Sequence, residues 1–188
     1  MTASFPKFHR LDKPARIDCA GLADSPVGFL LAGWEKDLLV HLSVLPAGAE
    51  KDTDLLSEPE WAHAVRDDAK ARDLVKTGLF PDRQWRGKFS DILQLGFYGS
   101  DFQFAVMQHM LHTPSGGTTS YAALSKAALK PGAARAVGSV CARNPICLVV
   151  PCHRVLTSQG GLGGYAYGTA LKSQLLRWEQ QAGQMAAA

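Results

Sequence analysis

Five consecutive apolar residues, Ile146-Cys147-Leu148-Val149-Val150, form the longest such stretch in the chain, and proline stands on either side of it at 145 and 151. A run without polar alternation is satisfied only in an interior, and its length suits a strand buried on both faces. Pro145 also disfavours helix at Asn144, so a helix arriving from the N-terminal side must stop there. The run therefore delivers Pro151-Cys152-His153-Arg154-Val155 to the end of a buried strand. A thiolate, not a thiol, is the nucleophile, and a basic neighbour can lower a cysteine pKa from about 8.5 to roughly 3.5–7.5. Cys152 is thus a candidate nucleophile and His153 a candidate base. Taken alone, the pair is better explained as a packed cysteine beside a surface histidine; the surrounding residues reverse that balance.

The chain has 188 residues, 46% of them apolar and 20% charged, enough to fill the core of one large domain or two small ones. Nothing in it approaches the ~20 apolar residues of a membrane span, and the start lacks the pattern of a secretory signal. Cysteines at 19, 141, 147 and 152 show neither paired Cys-x-x-Cys spacing nor a disulfide framework, so no metal site is expected. A reduced, cytoplasmic compartment follows, and a free nucleophilic thiol needs one. Residues 1–95 carry 13 Lys+Arg against 15 Asp+Glu, whereas residues 96–188 carry 7 against 2. The half with the Cys-His pair is basic, which fits a polyanionic partner.

Residues 1–14 show no clear periodicity. Short strands are expected at 15–19, 27–32 and 37–42, with a hairpin turn at Gly33-Trp34-Glu35-Lys36. Ser57-Glu58-Pro59-Glu60 is a helix start by its cap, early proline and acidic first turn. Trp61, Val65, Leu74 and Val75 continue it with partial helical spacing, until Phe80-Pro81-Asp82 breaks the chain. In the second half, Phe102, Val106, Met110 and Leu111 mark a helix over 102–112. Ser120 caps a short helix over 121–128, Pro131-Gly132 makes a turn, and a further helix covers 133–143. Two short helices on a tight turn are a helix-turn-helix candidate. A last helix starts near Thr169, where Leu171, Leu175 and Glu179 share one face. A carboxylate on an apolar stripe either sits at the exposed helix end or pairs with a buried partner.

Several blocks around these elements resemble the O6-alkylguanine-DNA alkyltransferases: Gly99-Ser100-Asp101-Phe102-Gln103, Thr119-Ser120-Tyr121-Ala122-Ala123-Leu124, Ala134-Arg135-Ala136-Val137-Gly138, Asn144-Pro145 with Pro151-Cys152-His153-Arg154-Val155, and Leu175-Leu176-Arg177-Trp178-Glu179. Gly160-Gly161-Leu162-Gly163-Gly164-Tyr165 also fits, and Asp24-Ser25-Pro26-Val27-Gly28 is a weaker match in the first half. The resemblance implies an α+β protein: a ribonuclease-H-like sheet-and-helix domain over 1–95 and a mostly helical, winged-helix-like DNA-binding domain over 96–188. It implies one irreversible transfer of an alkyl group from O6 of guanine, or from O4-methylthymine, to Cys152. His153 would act as base through a bound water and Glu179 would orient it. Asn144 would fix the local turn, and Tyr121 would donate to the departing base. Val155, Tyr165, Cys141 and Ala166 would shape the substrate pocket. Arg135 would enter the base stack when the nucleotide is flipped out, with Ala134, Gly138, Ser120 and Ser158 at the DNA. The partner would be double-stranded DNA and the protein a monomer. No cofactor is called for, because the thiolate is itself the acceptor.

Three positions depart from the family pattern. Met107 stands in place of a usual tryptophan, Cys147 in place of a frequent proline, and Tyr167 two residues after Tyr165 in place of a frequent glycine. Tyr167 is expected to narrow or reshape the pocket. Two other functions use the same residues: a cysteine hydrolase with Cys152, His153 and Glu179 as its triad, and a non-catalytic helix-turn-helix DNA binder. Turnover would mark the first, and absence of a covalent adduct the second.

Overall fold

A computed structural model describes residues 5–46, 61–81, 84–85, 89 and 93–187. The helix start expected at 57–60 lies outside the described residues. A six-stranded mixed sheet has the order β1-β6-β4-β3-β2-β5. Its strands are β1 (Lys7–Arg10), β2 (Cys19–Ser25), β3 (Gly28–Glu35), β4 (Leu38–Val44), β5 (Val65–Arg66) and β6 (Gln94–Phe97). Antiparallel β2-β3-β4 is the centre; β5 joins β2, and β6 and β1 join beyond β4, all in parallel. The strands alternate between two interiors, as period-2 side chains must. Leu30, Ala32, Leu39 and Leu42 face the main core, while Leu31, Val40, Ala20 and Leu22 close a smaller one with Trp61 and Ile17.

The expected strands are present but displaced. The first begins at Cys19 where 15–19 was expected, and the residues expected to turn at 33–35 are strand, so the hairpin turns at Lys36 (φ +55°). Residues 7–10, expected to be irregular, pair along Gln94–Phe97. Trp61 and Val65 are not helical; α1 (Asp68–Asp73) starts at the Asp67 cap and continues as π-helical turns over Leu74–Leu79. Gly21 lets α1 come close, because a Cβ there would lie 2.2 Å from the Asp67 carbonyl oxygen.

The helical half follows the expected order: α2 (Asp101–Leu111), α3 (Tyr121–Ala127), α4 (Ala134–Ala142) and α5 (Thr169–Ala187). Ser100 and Gln103 form a reciprocal capping box on α2, and Ser120 caps α3 by accepting from Ala123 N. Buried Ser125 ties the turn between α3 and α4, donating to the Lys130 carbonyl and accepting from Ala133 N at 2.9 Å. A two-stranded parallel pair, β7 (Thr119–Ser120) with β8 (Val155–Leu156), joins this unit. The fold class is α+β. The expected division at 95/96 falls inside β6, and the main core is continuous across it, with Leu39, Leu42 and Leu95 in one cluster with Met107, Ile146 and Leu175.

Candidate active site

The segment 146–150 is fully buried but is not a strand. Only Ile146 bridges the sheet: Leu42 N donates to the Pro145 carbonyl at 2.7 Å and Cys147 N donates to the Leu42 carbonyl at 2.9 Å. The chain then coils, with Leu148 at φ +67° and Val150 N bonded back to the Ile146 carbonyl. Continuous apolarity specified burial, and local turns satisfy the backbone where a ladder was expected. Cys152–Arg154 follows as a single 3-10 turn, buried throughout.

Asn144 orders this turn from the end of α4. Its Oδ1 accepts from Ile146 N at 3.0 Å, which places the amide nitrogen on the other side. Nδ2 then donates to the Val150 carbonyl at 2.8 Å and to Cys152 Sγ at 3.2 Å. Burial raises the Cys152 pKa, against the Asn144 hydrogen bond and the positive charge of Lys172, which favour the thiolate. A basic neighbour can lower a cysteine pKa, but here desolvation outweighs the favourable neighbours, so the resting sulfur is a protonated thiol.

His153 is wholly buried, and its Nε2 lies 2.9 Å from Glu179 Oε1. Burial lowers the imidazole pKa against the attraction of that carboxylate. An ionised carboxylate only accepts, so Nε2 carries the proton and Nδ1 presents its lone pair. Nδ1 is buried and has no hydrogen-bond partner among the described residues. Glu179 is buried, not at an exposed helix end: α5 carries it beneath His153. Arg154 binds it twice, Nε to Oε2 at 2.9 Å and Nη2 to Oε1 at 2.8 Å, while Gly116 N and Trp85 Nε1 also donate to it. Burial alone would raise the Glu179 pKa; hydrogen bonds from His153 and Arg154 reverse this and hold it at about 2. Arg154 also donates to the Thr113 carbonyl.

Beside Cys152 lies a cavity of about 400 Å³. Tyr121 lines it from the start of α3; Gly138, Cys141 and Ala142 line it from α4; Gly164, Tyr165 and Ala166 complete it from the loop before α5. Val155 does not line it: the residue is fully buried and pairs with Thr119. Gly163, at φ +64°, leaves room for Tyr121, whose hydroxyl would lie 3.1 Å from a Cβ there. Buried Lys172 ties the cavity lip to α5, its Nζ donating to the carbonyls of Val155 (2.6 Å), Leu162 and Gly164 (3.3 Å). Cys141 faces the cavity, but burial, then the nearby Cys152, push its pKa up to about 12. What separates it from Cys152 is its partner: the Cys141 thiol faces Met110 Sδ at 3.5 Å, whereas Cys152 Sγ accepts from the Asn144 amide.

The residues expected at DNA are spread over the start of α3, the first half of α4 and the loop after β8. Arg135 is exposed in the first turn of α4, one turn before Gly138 on the same face, with Ala134 beside it. Ser120 is committed to capping α3, and Ser158 is exposed in the loop after β8. Only Gly138 of this group reaches the cavity wall.

The family model described as the DNA binding domain of 6-O-methylguanine DNA methyltransferase matches residues 101–181. A methylated-DNA–protein-cysteine methyltransferase of Mycobacterium leprae is 33% identical over 165 residues, 87% of this chain and 93% of that protein. The chain belongs to the methylated-DNA–protein-cysteine methyltransferase family. The crystal structure of Mycobacterium tuberculosis OGT in complex with DNA superposes with a TM-score of 0.67 at 30% identity, covering 87% of this chain and 93% of that one. The bifunctional transcriptional activator/DNA repair enzyme Ada of Escherichia coli is 45% identical over 89 residues, 47% of this chain and 25% of Ada.

Within this methyltransferase family, two departures of the chain meet in one place. The Tyr167 and Cys147 side chains lie close enough to bear on each other's titration, and the Tyr167 ring stands edge-on to Tyr165, centroids 5.5 Å apart at 70°. Tyr167 does not line the cavity, so it acts on the pocket by bracing Tyr165 and not by entering it. Met107 is fully buried in the main core. Three residues of the site were assigned no role from the sequence: Arg154, Lys172 and Trp85. The first two read as ordinary surface cations, since buried Lys and Arg are uncommon. Only the position of Arg154 next to His153 could have drawn attention to it.

Proposed function

We propose that this chain repairs DNA by moving an alkyl group from O6 of guanine, flipped out of the duplex, onto Cys152. The observation that carries the reading is the alignment of Asn144 Nδ2, Cys152 Sγ and the cavity: a thiol with a donor fixed at its sulfur opens onto a space lined by Tyr121, Cys141 and Tyr165. Sulfur attacks the alkyl carbon, the carbon–O6 bond breaks, and its electron pair leaves with guanine. The thiol proton moves toward Nδ1 of His153, by way of a water in the family's manner. Glu179 holds the imidazole as it becomes cationic, and Tyr121 donates to the departing base. The product thioether has no route back, so each molecule acts once.

Flipping is required because O6 is out of reach inside the stack, and it costs a few kcal/mol, less for a damaged base. Arg135, exposed one turn above the cavity wall, occupies the gap. Binding through the minor groove and the backbone suits a protein that must find damage in any sequence. No helix among the described residues is long and apolar enough to cross a membrane; a reducing cytoplasm, where Cys152 stays free, is the compartment we propose.

Cys152→Ser tests this reading. The variant should hold an O6-methylguanine duplex with parental affinity while leaving every lesion unrepaired. Repair by the serine variant would contradict the assignment of the acceptor.

A further inference from the structure

The relay of Cys152, His153 and Glu179 has a fourth member that comes from the other half of the chain. Trp85 Nε1 donates to Glu179 Oε1 at 2.9 Å, across 94 residues of sequence. That same oxygen accepts from His153 Nε2 at 2.9 Å and from Arg154 Nη2 at 2.8 Å. The indole also stands against the imidazole itself, ring centroids 5.8 Å apart at 69°. Trp85 is only 4% exposed and is clamped between Phe80 and Phe89, at 5.3 and 5.8 Å.

The geometry points to Trp85 as a positioning residue for alkyl transfer: its N–H fixes the carboxylate rotamer of Glu179, and its ring sets the plane of His153. The inference rests on the reading that His153 receives the Cys152 proton. The direction of Nδ1 is decided by rotation of the imidazole about its bond to Cβ, and such terminal torsions are broad and soft. A single hydrogen bond through Nε2 leaves the ring free to rock about that contact. A wall against the ring removes this freedom. Oε1 in turn needs a donor that is not on the same turn as the histidine, because Arg154 is the next residue and moves with it. Trp85 is that donor, anchored in an aromatic cluster. The groups that bear on His153 are then Glu179 from α5, Arg154 from its own turn, and Lys172 from α5. Trp85 adds no charge and tunes how strongly Glu179 is felt.

The test is Trp85→Phe, which keeps a ring and removes the N–H, with Glu179→Gln measured in parallel. Single-turnover methyl transfer is read at saturating O6-methylguanine duplex across pH, together with duplex affinity and melting temperature. Trp85→Phe should bind duplex as the parent does and transfer about three- to tenfold more slowly, the effect of one hydrogen bond. Its acid limb should move to higher pH, because Oε1, relieved of one donor, holds an imidazolium more strongly. A folded Trp85→Phe with parental rate and pH profile overturns the inference if Glu179→Gln is slow, and leaves Trp85 as core alone. Parental rates in both variants would instead refute the relay on which the inference stands. Should Trp85→Phe not fold, benzothienylalanine at position 85, the same shape without the N–H, gives the same comparison.

Discussion

Asn144 and Cys152 are joined through the amide nitrogen: Nδ2 stands 3.2 Å from Sγ, and the Ile146 N–H on Oδ1 prevents the amide from presenting its oxygen instead. The contact is the main local force favouring a thiolate at a sulfur that burial keeps protonated. Asn144→Ala should therefore push the Cys152 pKa higher still. Losing a donor to a charged group is worth about 1.5–3 kcal/mol, so transfer should slow roughly 10- to 100-fold. Thiol titration with an alkylating probe and single-turnover kinetics check both effects.

Glu179→Gln should cost stability as well as rate. Arg154 is buried with Glu179 as its carboxylate partner, and uncoupling a buried pair costs about 3–5 kcal/mol. The pH dependence has a definite sign. Below its ordinary value of 6.5, His153 takes up a proton more readily in the unfolded chain, so stability falls on acidification. Glu179 is held down at about 2 from 4.5, so its contribution is complete above 4.5 and is lost as the pH falls toward 2. Denaturant titrations from pH 7 to pH 3 should show both losses in the parent and only the upper one in Glu179→Gln.

Leu129 is 89% exposed and sits at φ +56° in the turn between α3 and α4. A side chain in this left-handed region is strained and here buries nothing in return. Leu129→Gly should stabilise the protein by up to about 1 kcal/mol and leave transfer unchanged. Lower stability in the glycine variant would show that the leucine is held by a contact on this surface.

Arg135→Ala should impair repair in duplex far more than transfer from free O6-benzylguanine. The side chain is exposed and lies outside the cavity, so in the proposed role it would support the flipped state without touching a reacting atom. Free base needs no flipping. Single-turnover rates at saturating duplex separate this from lost phosphate attraction, which fades with salt. Equal losses on both substrates would place Arg135 in the shaping of the pocket.

The helical half was legible because its signals are local. Ser100, Ser120 and Pro145 mark helix ends within a few residues, and the i, i+4 row of Leu171, Leu175 and Glu179 anticipated one buried face. The sheet was less so. β1 and β6 pair in parallel across more than 80 residues and carry no hairpin turn to announce them. In β2 the alternation is muted by Ala20, Gly21 and Ala23, so the strand was placed too early. Five apolar residues at 146–150 declared burial truthfully, but a buried coil and a buried strand share that pattern. Cys152, His153 and Glu179 were legible through motif and helical face. The partners of Glu179 were not, because Trp85 reaches it across 94 positions and Arg154 is a cation that sequence places at the surface.

The central claim is that Cys152 accepts one alkyl group and keeps it. A duplex carrying O6-[methyl-³H]methylguanine, in excess over protein, tests it most directly through the amount of label transferred and the peptide that bears it. The account predicts that repair stops at one equivalent per chain, with the label as S-methylcysteine at position 152. Repair of many equivalents per chain, or label on Cys141 in place of Cys152, would contradict it.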